Sequence, residues 1–319
     1  MHSQFTGEEI LYATNGHLKS GTISDTKGKL TWNIDELKAG DWFLAIPSTF
    51  RDPHDCLNLA FEKGASGVIV NRRNRYSSAI DGGTIITVSD TRTALLDLVR
   101  HWRFKVKPKV VAVSGSFGRQ VTMLLLNQLL KETFKTHVAS MGNLGWFGCI
   151  EEVLSMPEDT EVLIFEAGAI ERGDITRIGG ALVPDFAVLT QIRHPLPSQE
   201  RDSFAAALYC ELLETLAEQP QGRLAAAIYD LTIPVRNRVD ELLDGCNLMA
   251  ARYSKSESSL ASQVTDAALA ELSDAMKKMV GQSVTRAELW CAIEAASALG
   301  VSDSKLMSQL NLQPVAALQ

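Results

Sequence analysis

The chain has 319 residues, 45% of them hydrophobic and 22% charged, with a formal net charge of −7. That length fills two ordinary domains and builds a core large enough to stand without disulfides, and the composition is that of a soluble globular protein. No basic stripe marks a nucleic-acid surface, and no apolar window reaches the roughly 20 residues of a membrane span, so neither nucleic acid nor a bilayer is an expected partner. Five cysteines, Cys56, Cys149, Cys210, Cys246 and Cys291, are widely spaced and odd in number. They form no C-x-x-C pair and read as reduced thiols of a cytoplasmic protein, not as a disulfide frame or zinc site. Met1–Gly16 carries Glu8 and Glu9 and lacks the apolar centre of a signal peptide.

In chain order, residues 1–107 offer short apolar runs at Asp41–Ile46, Gly67–Val70 and Thr84–Val88, with a helical pattern at Cys56–Lys63. Leu95, Leu96, Leu98, Val99 and Trp102 fall at helical spacing over Thr91–Phe104. This predicts a small N-terminal α/β domain. Residues 108–233 open on Lys109–Val113, a continuous apolar run of the kind a buried parallel strand shows. Further strands are predicted at Val162–Phe165, Phe186–Thr190 and Leu224–Tyr229. Helices are predicted through Met123–Leu130 and over Ser203–Ala217. Alternating strands and helices argue for a central parallel sheet with flanking helices. Residues 234–319 change texture, toward Ala, Leu, Ser, Glu and Met. Helices are expected at Arg238–Arg252, Ser262–Val280 and Arg286–Leu299, the last preceded by a Thr285-x-x-Glu288 capping box. Ser254–Ser259 reads as a polar linker, and the whole region reads as a helical C-terminal tail without strand alternation.

One turn carries a chemical signal. Val113-Ser-Gly-Ser-Phe-Gly-Arg-Gln-Val-Thr122 joins a strand to a helix, where a P-loop belongs. Glycines there let backbone N–H groups converge on an anion, and the helix N-terminus adds positive potential. A working loop follows its last glycine with Lys, for the β and γ phosphates, and then Ser or Thr, for Mg²⁺. Here those places hold Arg119 and Gln120. Arginine keeps the charge but is a wide planar fork, and glutamine is too long to replace a short hydroxyl. The same residues also fit a glycine-bearing strand–turn–helix junction with no ligand.

The order of motifs around that turn resembles the Mur ligases of the D-alanyl-D-alanine-adding type. Phe5–Gly16 is similar to their opening, Leu37–Ile46 to a first-domain strand, Arg51-Asp-Pro-His-Asp55 to a histidine-bearing turn, and Glu62–Val70 to a following helix–strand junction. Ser114–Thr122 falls on their phosphate loop, Ala139–Gly145 near an Asn-rich segment, and Leu163–Ile175 and Pro184–Thr190 on two later motifs. The resemblance covers roughly residues 5–230.

The resemblance implies a first domain that binds the UDP side of a muramyl peptide, a central domain that binds ATP with Mg²⁺, and an acyl-phosphate route to an amide. It carries the phosphate-site roles to Gly115, Ser116, Gly118, Arg119 and Gln120, a nucleotide contact to Asp230, and metal ligands to Glu166 and His194, the latter two residues out of step. It carries substrate-side positions to Ser24, Asp25, Thr26, His54 and Asn143, with the family's Arg missing from the Ser24–Thr26 signature. The family's carbamylated lysine falls on Tyr209, which forms no carbamate. Residues 234–319 are too few for the family's third domain.

Loss of the loop Lys, the Mg²⁺-binding Thr and the carbamate Lys points to a catalytically impaired scaffold with a binding, structural or regulatory role. Its helical C-terminal region would meet a protein partner. The alternative is a diverged, active ATP-dependent amide ligase working with a partner subunit. A third reading, a sensor of UDP-linked small molecules, rests on the first domain alone.

Overall fold

The computed structural model describes residues 3–47, 53–73, 83–142, 146–192, 199–217, 223–227, 240–242, 250–252 and 264–311. It is an α/β protein of two compact units, one formed by Met1–Val106 with Leu154–Glu158, the other by Lys107–Val153 with Asp159–Gln319.

In the first unit, six strands form one mixed sheet. They are β1 (Gln4–Phe5), β2 (His17–Ser20), β3 (Gly28–Thr31), β4 (Trp42–Leu44), β5 (Gly67–Asn71) and β6 (Ile85–Val88), in the order β1-β3-β4-β5-β6-β2. The inner pairs are parallel, while β1 and β2 run antiparallel at the edges. Helix α1 (Gly7–Thr14) starts from a capping box between Thr6 and Glu9, α2 (Leu57–Glu62) follows a 3-10 turn at Pro53–Cys56, and α3 (Thr91–Val106) buries Leu95, Leu98, Val99 and Trp102. The strand expected over Asp41–Ile46 is shorter than the apolar run, spanning only Trp42–Leu44.

The second unit holds the predicted parallel sheet. Strands β7 (Lys109–Ser114), β8 (Thr136–Ala139), β9 (Val162–Ala167), β10 (Phe186–Leu189), β11 (Arg223–Ala227) and β12 (Ala250–Arg252) lie in the order β12-β11-β10-β7-β9-β8 and pair in parallel throughout. Val110–Val113, Val162–Phe165 and Ala187–Leu189 are fully buried, which is why these strands read as unbroken apolar runs. From β7 the chain crosses toward β8 on one side, and from β10 it moves to β11 on the other. Open sheets place ligands at such a divergence, outside the carboxyl ends of the strands.

The helices of this unit are α4 (Arg119–Leu130), α5 (Trp146–Leu154), α6 (Asp174–Leu182), α7 (Gln199–Tyr209), α8 (Glu211–Ala217), α9 (Asp266–Val280), α10 (Arg286–Ala298) and α11 (Asp303–Asn311). The helix expected over Ser203–Ala217 breaks at Cys210, so α7 and α8 are separate. Of the helix expected over Arg238–Arg252, residues 240–242 are helical, but Ala250–Arg252 is a strand that extends the sheet beside β11. Three residues are too few to show a two-residue period, and an Ala-rich composition favours the helical reading. Thr265 caps α9 and Thr285 caps α10, the latter with the reciprocal bond from Thr285 N–H to Glu288. Leu289, Trp290, Ile293 and Ala296 of α10 pack into one core with Val121, Leu125 and Leu129 of α4 and Val111 and Val188 of the sheet.

Candidate functional site

The candidate site lies at the carboxyl ends of β7, β9 and β10. Gly115 has φ +134°, and a Cβ there would fall 2.2 Å from the Thr190 hydroxyl. Gly118, the N-cap of α4, has φ +77° and offers no capping side chain. Both positions require glycine: the backbone is in the left-handed half of φ space, and at Gly115 the next strand leaves no room.

The loop is bound to its neighbour rather than open. Ser116 and Phe117 both donate their backbone N–H to the Gln191 carbonyl, at 2.9 and 3.1 Å. The Thr190 hydroxyl donates to the carbonyls of Ser114 and Phe117. Two amides of the kind that would converge on an anion therefore spend their bonds on the segment after β10.

Arg119 fills the centre. Its Nε donates to Glu166 Oε1 at 2.9 Å, its Nη1 donates to the Gly115 carbonyl, and the guanidinium lies 5.8 Å from the Tyr209 ring centroid. Glu166, at the end of β9, is only 4% exposed. Its second oxygen accepts the Met141 N–H at 3.0 Å. A buried carboxylate is costly unless paired and hydrogen-bonded, and here both oxygens are engaged. The guanidinium fork satisfies a carboxylate and a carbonyl together, which a compact ammonium does less readily. Tyr209 closes the far side, and its carbonyl accepts the Ser114 hydroxyl.

Carboxylates also hold the rim beyond β9. Asp174 accepts the N–H groups of Ile170 and Glu171, and Glu211 accepts that of Gly173 through both oxygens. Cys149 is buried beside the site. Burial pushes its thiol well above the ordinary range and the Glu166 carboxylate adds to the rise, so it lacks the thiolate character a nucleophile needs.

The structure thus gathers Gly115, Ser116, Gly118, Arg119, Glu166 and Tyr209 into one place, with Gln120 in the first turn of α4. Asn143, His194 and Asp230 lie outside the described residues, as does the side chain of His54 in the 3-10 turn. In the first unit Ser24, Asp25 and Thr26 are exposed, and the Ser24 hydroxyl bonds the Thr26 hydroxyl and N–H. A cavity of about 330 Å³ in that unit is lined by Lys29, Thr31, Asp35, Lys38 and Asp41 among others, and Ser24–Thr26 do not line it. Sequence reasoning missed Gln191 and Met141, which act through backbone groups, and Thr190, whose hydroxyl bonds two carbonyls of the loop. It also missed Glu288, whose place against the loop is reached only through the packing of α10.

As they stand, these residues do not fit a magnesium nucleotide. The carboxylate that would hold the ion is bonded to a guanidinium and an amide, and an amide side chain replaces the short hydroxyl ligand. Among the described residues no three His, Cys, Asp or Glu side chains group into a metal site, and no helix is long and apolar enough to cross a membrane.

No family model matches the chain. It is 33% identical over 165 residues to a UDP-N-acetylmuramoyl-tripeptide–D-alanyl-D-alanine ligase of Rickettsia prowazekii, covering 51% of this chain and 36% of that one. The ligase of the same name from Bacillus subtilis is 28% identical over 172 residues, covering 54% and 35%. The match therefore spans about a third of these relatives' length. Among solved structures, a UDP-N-acetylmuramoylalanyl-D-glutamyl-2,6-diaminopimelate–D-alanyl-D-alanyl ligase of Acinetobacter baumannii superposes with a TM-score of 0.75 at 20% identity, covering 98% of this chain and 69% of that one. A MurF ligase of Thermotoga maritima in complex with ADP gives 0.60 at 23% identity, covering 72% and 51%. At these identities the structures speak for the fold.

Proposed function

The chain is related to the Mur ligases, and from that premise we propose that it is a Mur-ligase-like scaffold without ATP-dependent ligation, kept for a binding or regulatory role. One observation carries the reading: the Arg119 guanidinium is bonded to Glu166 and Gly115 where phosphoryl transfer would need a lysine, a metal ion and free amides. Phosphoryl transfer rests on positioning and on neutralising charge at the transferring group. Here the cation and the carboxylate neutralise each other. A protein partner of the helical C-terminal region belongs to the same proposal. It would meet the outer face of that region, because the inner face of α10 is buried against α4.

The test is phosphate release by the purified full chain with Mg-ATP, a UDP-muramyl tripeptide and D-alanyl-D-alanine, beside titration calorimetry with Mg-ATP alone. No turnover and no nucleotide affinity are expected. Substrate-dependent turnover overturns the reading.

A further inference from the structure

The first turn of α4 carries no acidic residue, and its N-cap is a bare glycine. A helix start of this kind attracts negative charge, because its first N–H groups lack intrahelical acceptors and the macrodipole is positive there. The structure supplies such a charge from a distant part of the chain. A Cβ on Gly118 would fall 2.7 Å from Glu288 Oε1, 2.9 Å from its Cγ and 3.2 Å from its Cδ, so this side chain lies directly against the N-cap. Glu288 is 8% exposed. Its Oε2 is anchored by the N–H and hydroxyl of Thr285, which fixes the carboxylate instead of leaving it to swing into solvent. The anchoring helix cannot drift, because Leu289, Trp290 and Ile293 lock α10 along Val121, Leu125 and Leu129 of α4.

We infer that the phosphate loop is occupied from within, with Glu288 serving as the built-in anion at the start of α4. The inference rests on the proposed absence of ATP chemistry and deepens it. Arg119 takes the place of the cations, and Glu288 offsets the helix dipole from beside the N-cap, through space and not by a bond to the first-turn amides. The C-terminal helical region is then an intramolecular occupant of the loop as well as part of the core. A carboxylate 2.7 Å from the Gly118 Cβ position also repels any phosphate that approaches this helix start.

The test uses the full chain and inorganic phosphate as the probe, with chloride holding the ionic strength constant. E288Q removes the charge but keeps the capping box, since Gln serves at this position as well as Glu. Phosphate should raise the Tm of E288Q and bind it several-fold, up to about tenfold, more tightly than the wild type, as a partly buried helix-terminus charge allows. E288D keeps the charge but withdraws it by one methylene. It should fall between the two, and it decides the matter should E288Q fail to fold. An identical phosphate response in wild type and variants overturns the inference alone. Turnover of Mg-ATP by the wild type overturns the parent reading whatever E288Q does.

Discussion

The middle of the central sheet and the rim at its carboxyl ends are built from opposite materials. In the middle, Val110–Val113 and Val162–Phe165 are apolar and fully buried, and helices including α4 and α10 share their core. At the rim, a few residues further along the same strands, the contacts are polar: a partly buried ion pair, two amides on one carbonyl and a carboxylate against a glycine. The difference teaches that the rim is not a vacant pocket on an intact scaffold. Arg119, Glu166 and the amides of Ser116 and Phe117 have found partners within the chain. The two regions answer to different demands, because packing depends on volume and apolar surface whereas the polar groups at the strand ends depend on individual partners.

The sharpest way to break this comparison is at its apolar side. Trp290→Ala should cost about 3–5 kcal/mol, the usual range for emptying a large aromatic from a core. It would show that residues of the C-terminal region carry the central sheet's stability. Urea unfolding followed by far-UV circular dichroism measures it. A loss below about 1 kcal/mol would mean that α10 is an appendage.

The polar side breaks at Arg119. Among the described residues Arg119→Ala leaves Glu166 buried with the Met141 amide alone, which should cost about 3 kcal/mol, the lower end for an orphaned buried charge, since Arg119 is itself 21% exposed. Glu166→Gln in the same background should restore part of the loss, with a coupling of about 1 kcal/mol or more in the double-mutant cycle. Additive losses would mean that the pair is incidental to the rim. Thr285→Ala comes next, at about 1 kcal/mol for a lost N-cap. It should also loosen Glu288, so faster hydrogen exchange at the amides of 118–121 is expected with it.

The two regions differ in legibility too. The strands of the sheet middle could be read from Lys109–Val113 and Val162–Phe165, because burial on both faces writes an apolar run directly into sequence. The strand–turn–helix junction was legible as well, since Gly115 and Gly118 stand between an apolar run and a helical pattern. Glu166 was reached only through the family resemblance. That Arg119 would bond Glu166 was not legible, since the two are 47 residues apart and only the pairing of β7 with β9 brings them together. The Gln191 carbonyl is a backbone group and leaves no mark on composition. Thr285-x-x-Glu288 announced the start of α10, and the same pattern at Thr6-x-x-Glu9 starts α1, but a capping box says nothing of what its carboxylate faces. Ala250–Arg252 is a strand by its place at the sheet edge, not by any pattern of its own.

The smallest expected effect lies on the half-buried side of α10, at Glu294. Burial raises its carboxyl above the ordinary 4.5, and the charge of Asp303 adds to the rise. The folded state therefore holds this proton more tightly than the unfolded one. The stabilisation from the protonated form is complete below the unfolded value and is lost as pH climbs through the raised folded one. Glu294→Gln removes that loss, so at pH 7 the variant should be more stable than the wild type by a few tenths of a kcal/mol, a modest figure because the side chain is only half-buried. Near pH 4 the advantage should vanish, since the wild-type carboxyl is then protonated in the folded chain. Asp303→Asn should move stability in the same direction by less, acting only through the second cause. Paired thermal melts at the two pH values read the difference directly. An advantage for Glu294→Gln that persisted unchanged at pH 4 would assign the effect to packing. It would then extend the apolar logic of the sheet middle to the half-buried side of α10, where Glu294 stands.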